Sequence, residues 1–397
     1  MNVVFTVLLI VSVVVTIKSN QANADSSFRR VCYWSSWAYY RTGNGKFTEA
    51  NFDASICTHM IYAFTKLSDQ NTIAAFDPYL DVDKGMYKHF NNLRQKNPKL
   101  KTLVAIGGWG EGSDKYSAMA NNAGHRKTFI DSVVKFIGQH GFNGLDLDWE
   151  YPGQSARGDG DRQPGNEADK QAFVDLLREL NVAFKPHGYL LTAAVGAGRS
   201  IIDRGYNVPE MNKYLDFINL MTYDLHGSWE QKTGHHAALH SGPGDNEQDK
   251  MLTVESAVDY WLKLGAEPKK LIVGIPFYGR TFKLQSPQNN GINAPANGGG
   301  SAGPYTKSSG FIGYNEICEN QSKWSVHWDD QRKATYAVMG TEWVGYDNEQ
   351  SIMAKVDFIK SNGLGGAMVW AIETDDFNGL CGKGKFPLLN AINNGLK

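Results

Sequence analysis

Short apolar and β-branched runs recur along the chain and alternate with stretches whose apolar residues fall at three- and four-residue spacing. These are the periods of buried strands and of amphipathic helices. Eight runs read as strands: Val31 to Trp34, His59 to Phe64, Thr102 to Gly107, Gly144 to Glu150, Leu190 to Val195, Phe217 to Met221, Leu271 to Pro276, and Ala367 to Trp370. Between them, His125 to Gln139, Asp169 to Phe184, Val254 to Leu264 and Gln350 to Ser361 read as helices. Eight strand–helix units predict an α/β fold, a parallel (β/α)8 TIM barrel.

Between the seventh and eighth strands the alternation breaks for about 70 residues. The break opens with a Gly, Asn and Pro-rich stretch from Gln285 to Pro304 and runs through Trp324, Trp328, Tyr336 and Trp343 to Tyr346. Those aromatic residues can build a core, so the segment is expected to be a small α+β insertion and not a disordered one. The expected barrel then covers about 28–278 and 347–392, with the insertion at about 279–346.

Within the fourth strand the order Gly144-Leu145-Asp146-Leu147-Asp148-Trp149-Glu150 places three carboxylates at alternate positions. On a strand they share one face, roughly 6 to 7 Å apart, so at least one should keep its proton near neutral pH. An acid of that kind can protonate a leaving group. Leu145, Leu147 and Trp149 point the opposite way and should pack under helices. Asn143 has the parity of the apolar set and should lie off the acidic face.

In a barrel the C-terminal strand ends carry the chemistry. Here they hold Tyr33, Phe64, Gly107-Gly108-Trp109, Glu150, Met221-Thr222-Tyr223-Asp224, Pro276-Phe277-Tyr278-Gly279-Arg280 and Trp370. Aromatic faces stack on the apolar faces of sugar rings, while a few carboxylates and an arginine fix hydroxyl or amide groups.

The 397 residues, 42% of them hydrophobic, can bury a large core. Net charge is −1 and no long Lys or Arg run occurs, which argues against a nucleic-acid partner and for an uncharged or weakly charged ligand. The apolar run Val3 to Ile17, followed by Ala22-Asn23-Ala24, reads as a secretory signal over residues 1–24, with an uncleaved anchor as the alternative. Residues 25–397 would then be a secreted, extracellular catalytic domain that leaves the membrane once the signal is removed.

The four cysteines allow three pairings. Chain proximity favours Cys32 with Cys57 and Cys318 with Cys381. Asn320-Gln321-Ser322 is a glycosylation candidate.

Gly299-Gly300-Ser301-Ala302-Gly303 has the spacing of a nucleophile elbow but lacks the strand before it and the helix after it. His235, His236 and His240 lack a Cys or carboxylate to complete a metal set and read as a surface loop. No phosphate-loop or dinucleotide pattern occurs, so neither a metal nor a cofactor is expected.

The chain resembles the family 18 glycoside hydrolases, specifically the arthropod and vertebrate chitinases. The resemblance rests on the fourth-strand motif together with Ala105-Ile106-Gly107-Gly108-Trp109, Met221-Thr222-Tyr223-Asp224, Gly274-Ile275-Pro276-Phe277-Tyr278-Gly279-Arg280 and Gly366-Ala367-Met368-Val369-Trp370. It implies endo-hydrolysis of β-1,4-linked N-acetylglucosamine polymers by a substrate-assisted retaining route, in which the sugar's acetamide and not a protein carboxylate is the nucleophile.

Carried over, Glu150 is acid and base, Asp148 holds the acetamide N–H and shares a proton with Asp146, and Tyr223 and Asp224 position the acetamide and the distorted ring. Trp370 is the floor beneath the reacting sugar. Tyr33, Trp37, Phe64, Gly108, Trp109, Met221, Trp229, Tyr278 and Arg280 line the cleft. The partners implied are chitin and chito-oligosaccharides, for a monomer without a separate chitin-binding module. The resemblance also supports the cysteine pairing favoured above. Two other activities are compatible with the motifs: a chitin-binding lectin or growth-factor-like relative without useful turnover, and hydrolysis of the chitobiose core of N-linked glycans.

Asn143 departs from the family pattern, which usually has its first Asp there. Its parity implies an effect on stability or pH profile and not on the chemical step. Asn143→Asp is therefore expected to turn over at a rate comparable to wild type in a steady-state assay, and a gain above roughly a hundredfold, about 2.7 kcal/mol, would contradict that placement.

Overall fold

In the computed structural model, which describes residues 28–154 and 166–397, eight parallel strands close on themselves. In chain order they are Arg29–Ser35, His59–Leu67, Lys101–Gly107, Gly144–Asp148, Leu190–Gly196, Phe217–Met221, Leu271–Pro276 and Gly366–Trp370. Each pairs with the next and the eighth returns to the first. The signal read at 1–24 lies outside the described residues. Among the described residues no helix is long and apolar enough to cross a membrane.

Alternation sorts the strands into two layers. Val31, Tyr33, Ile61, Ala63, Leu103, Ala105, Ala194, Met221, Ile272 and Met368 fill the interior, while Leu145, Leu147, Val104, Ile106, Val195 and Leu220 pack in the larger cluster outside. Burying each such Leu contributes about 1.5–3 kcal/mol. The helices over that outer layer include Ala123–His140, Asp169–Phe184, Val254–Lys263 and Glu349–Ser361. The first of these starts where the Asn122 side chain accepts the Gly124 and His125 N–H groups, and stops at Gly141, whose φ of 77° is one that glycine adopts without strain.

The fourth strand ends at Asp148, two residues short of the expected end. Trp149 keeps its outward parity and is buried against Tyr116 and Phe173. Glu150 thus stands in the loop at the mouth, and Asp146 and Asp148 inside the barrel.

After the seventh strand the chain enters a five-stranded antiparallel sheet, ordered Phe311–Gly313, Tyr278–Lys283, Glu342–Tyr346, Ala334–Met339, Ser325–Asp329, with the short helix Tyr314–Cys318. Phe282, Trp343 and Val338 give it a core of its own. Because this sheet begins at Tyr278, both Tyr278 and Arg280 project from the insertion. Disulfides join Cys32 to Cys57 and Cys318 to Cys381, the second tying the insertion to the chain beyond the eighth strand.

Asn143 sits at the opposite end of the barrel from Glu150. Its Oδ1 accepts the Thr102 N–H at 3.0 Å, its own N–H donates to the Thr102 carbonyl at 2.7 Å, and its carbonyl accepts from Leu190 at 2.9 Å. The side-chain bond needs only an oxygen, which Asp or Asn supplies equally. Asn143→Ala should lower unfolding free energy by about 1–3 kcal/mol in denaturant titrations, whereas Asn143→Asp should stay close to wild type, so the effect on stability expected from the sequence belongs to loss of this oxygen and not to the Asn-for-Asp exchange. Equal losses in both variants would contradict this account.

Candidate active site

Asp146 is a buried carboxylate with its donors supplied by three strands. Tyr33 Oη donates to Oδ2 at 2.5 Å, and Thr192 Oγ1 and Asn219 Nδ2 donate to Oδ1 at 2.5 and 3.1 Å. Asn219 Nδ2 also donates to Tyr33 Oη at 3.1 Å. Burial pushes the carboxyl up, the three donors pull it back, and the balance stands at about 6.

Asp148, one inward step along the strand, has no such support. It is buried, and among the described residues its Oδ1 has no hydrogen-bond partner. Burial first, then repulsion from Glu150 and Asp146, drive its carboxyl well above the usual range. Its protonated form is therefore favoured over that of an ordinary carboxyl. The two carboxyls thus differ in support, Asp146 with three donors from the protein and Asp148 with none on Oδ1. Asp146 is satisfied by the protein, and Asp148 keeps a free acceptor.

Glu150 is half-buried at the mouth. Burial raises its carboxyl, Tyr151 and the Trp109 N–H partly stabilise the charge, and Asp224 raises it again, to about 7. A carboxyl that titrates near neutrality can both give and take a proton at working pH.

The third-strand loop closes over this motif. Gly108 N–H donates to the Asp148 carbonyl at 2.8 Å. Gly107 has φ 114° and packs directly on that carbonyl, so a Cβ there would collide with it. Gly108, at φ 83°, lies against Phe64, whose ring edge would stand 2.7 Å from an added Cβ.

On the opposite wall Asp224 adopts φ 56°, a left-handed conformation unusual for Asp outside turns and functional sites. Arg280 holds it with Nε to Oδ1 and Nη2 to Oδ2, both 2.7 Å, and Tyr278 Oη donates to Oδ1 at 2.8 Å. Burial would raise this carboxyl, but the Arg280 guanidinium outweighs it and keeps the group well below the ordinary range. Tyr223 points its hydroxyl toward Met368 Sδ at 3.8 Å.

Trp370, Phe64 and Trp37 form a continuous aromatic platform, with centroids 5.6 Å apart for Phe64–Trp370 and 6.2 Å for Trp37 with each of the others. Tyr33 supports Trp370 from below at 5.5 Å. Trp109 and Trp229 are exposed, and Arg280 lies 5.4 Å over the Trp229 ring.

The expected site residues therefore gather at one mouth, in two layers. Tyr33 (1% exposed), Tyr278 (2%) and Met221 (8%) do not present their faces to the cleft. The two tyrosines act through their hydroxyls, on Asp146 and Asp224. Thr192 and Asn219 belong to none of the sequence motifs. Their signal was a polar residue at inward parity in otherwise apolar strands.

His235 and His236 are buried, not on a surface loop. His236 backs the site, accepting the Asp224 N–H at Nδ1 (3.4 Å) while Nε2 donates to the Tyr278 carbonyl at 3.2 Å. A separate group, His226, Glu230 and Asp249, has metal-binding donor types within 4.8 Å of one another. Its members are engaged within the protein, Asp249 by Lys232 at 2.6 Å and His226 by Glu230 at 2.9 Å. Ser301 of the glycine-rich loop is exposed and bonded to Glu342. Asn320 is half-buried, with Nδ2 on the Glu316 carbonyl at 3.2 Å.

Comparison with known proteins agrees with this geometry. The chain is 43% identical over 380 residues to an endochitinase of Manduca sexta, covering 93% of this chain and 67% of that protein. A crystal structure of the Ostrinia furnacalis Group IV chitinase in complex with allosamidin superposes with a TM-score of 0.88 at 46% identity, covering 93% of this chain and 98% of that one. Human YKL-39, described as a pseudo-chitinase with retained chitooligosaccharide binding, superposes at 0.86 with 39% identity, covering 93% and 100%. Residues 29–375 match the Glycosyl hydrolases family 18, and the chain belongs to that family.

Proposed function

We propose that this protein is a secreted endo-acting chitinase that hydrolyses β-1,4-linked N-acetylglucosamine polymers with retention of configuration. The observation that carries this reading is the buried, partnerless Asp148 acceptor between a satisfied Asp146 and a Glu150 poised near neutrality, all beneath an open aromatic platform. A buried acceptor without a donor is costly in the free protein, and a substrate N–H that supplies one is correspondingly favoured.

The sugar stacks on Trp370, with Phe64 and Trp37 extending the platform along the chain. Asp148 accepts the acetamide N–H and turns the acetamide oxygen toward the anomeric carbon. Glu150 gives its proton to the glycosidic oxygen as the bond to the leaving sugar breaks and the acetamide oxygen bonds to the anomeric carbon, forming an oxazolinium ion. Water then attacks that carbon and gives its proton to Glu150, which restores the acid. Asp224 remains ionised through Arg280, and with Tyr223 it fixes the ring and the acetamide. The insertion, anchored through Tyr278, Arg280 and the Cys318–Cys381 bond, forms a wall that grips chain interiors. Residues 25–397 are the catalytic unit in this reading, with residues 1–24 as its signal.

Resemblance to the pseudo-chitinase favours a second reading, binding without turnover. Glu150 separates the two. Wild type should release reporter from a chitotriose glycoside while Glu150→Gln falls by about 10³-fold or more. Equal background release from both, with oligosaccharide binding intact, would refute the enzyme.

The pH dependence has a definite sign. Glu150 must be protonated for the first step, so activity should decline on the alkaline side as pH rises through about 7. The folded values of about 7 for Glu150 and about 6 for Asp146 lie above the ordinary 4.5 and 3.8. The stability these groups contribute is fully present below the ordinary values and lost as pH rises through the folded ones. Glu150→Gln should thus be more stable than wild type at about pH 8 and no different at about pH 4 by chemical denaturation. The opposite order would contradict the raised carboxyl.

A further inference from the structure

Ser113 follows the turn Trp109–Glu111 and stands at the N-cap position of the short helix Asp114–Ala120. Serine is favoured at that position because its hydroxyl ordinarily accepts an N–H of the first turn. Here it makes no such bond. Its Oγ instead accepts the Trp149 Nε1–H at 2.7 Å and donates to the Tyr151 carbonyl at 2.8 Å. These partners are the residues on either side of Glu150, and Ser113 itself is 4% exposed. We propose that Ser113 is a positioning residue for Glu150, one hydroxyl that holds the acid's two chain neighbours and so sets where its carboxyl stands. The proposal rests on the reading of Glu150 as acid and base.

Trp149 is a fixed anchor, since its ring is buried between Tyr116 at 6.2 Å and Phe173 at 5.8 Å. Its indole N–H has Ser113 as its acceptor. The same loop touches the acid motif at the Asp148 carbonyl through Gly108 N–H and at the Glu150 carboxyl through Trp109 N–H.

A second tie lies one turn along the helix. Buried Asp169 accepts from Ser117 at 2.6 Å and Asn121 at 2.7 Å, and with its other oxygen from Gly153 N–H at 3.0 Å. The segment Trp149–Gly153 is thereby fastened to one helix at both ends, with Glu150 inside the span. Removing the Ser113 hydroxyl leaves a buried indole N–H without its acceptor, and leaves the Tyr151 carbonyl held by the Gln154 N–H alone, at 3.2 Å. The segment then shifts and the Glu150 carboxyl becomes better hydrated, which lowers the pH at which it titrates.

The test compares wild type, Ser113→Ala and Ser113→Thr by steady-state rates on a chitotriose reporter glycoside, by calorimetric binding of chito-oligosaccharide, and by carboxyl 13C NMR titration of Glu150 assigned against Glu150→Gln. In Ser113→Ala, kcat should fall roughly 10- to 100-fold, with oligosaccharide Kd within about threefold of wild type. The Glu150 titration should move toward the ordinary carboxylate range, and Ser113→Thr should restore both. Should Ser113→Ala fail to fold, Trp149→Phe, which removes one of the two bonds, carries the same comparison. Wild-type kcat and an unmoved Glu150 titration in a folded variant, even one of lower Tm, would reduce Ser113 to a structural role and overturn the proposal. A wild-type chain inactive on the glycoside would refute the chitinase reading instead. The Glu150 titration would still decide the role of Ser113.

Discussion

Burying three acidic side chains at the end of one strand is the constraint around which the rest of the structure is arranged. A barrel interior has few ways to support charge, and each carboxylate moved out of water must find donors, a counter-ion or a proton. The three solve this differently. Asp146 takes donors from the first, fifth and sixth strands. Glu150 stays half-buried at the mouth, and burial pushes the Asp148 carboxyl well above the usual range. Their unequal environments convert three similar groups into three distinct ones, the separation by which acid and base roles are assigned in enzymes.

The opposing wall answers the same problem with a counter-ion. Asp224 faces the acidic row and would add to its repulsion, yet the Arg280 fork keeps it ionised and fixed despite its left-handed backbone. That fork comes from the insertion, not from the barrel. The antiparallel sheet between the seventh and eighth strands is therefore part of the electrostatics of the site as well as a wall beside it. Its disulfide from Cys318 to Cys381 fastens it to the far end of the chain.

Much of this was legible in the sequence because periodicity encodes which way a side chain faces. The eight strands, the outward set Leu145, Leu147 and Trp149, and the placement of Asn143 away from the acidic face all follow from a period of two. What escaped was whatever depends on register between strands. Thr192 and Asn219 are unremarkable residues until the barrel closes and aims them at Asp146. Tyr33 and Tyr278 look like sugar-stacking rings at strand ends, but packing buries their faces and leaves only their hydroxyls to act. His235 and His236 sit in a polar stretch that the insertion covers. Ser113 carried a misleading signal, since a serine at a helix start normally caps that helix.

The central claim is that burial and the repulsion of Glu150 and Asp146 hold the Asp148 carboxyl well above the ordinary carboxylate range in the free protein. Infrared difference spectroscopy between wild type and Asp148→Asn, titrated across neutral pH, tests this directly. The account predicts a protonated-carboxyl C=O band that disappears with the substitution and is still present at about pH 5, above the ordinary carboxylate range. A carboxylate signal from Asp148 already present at pH 5 would contradict it.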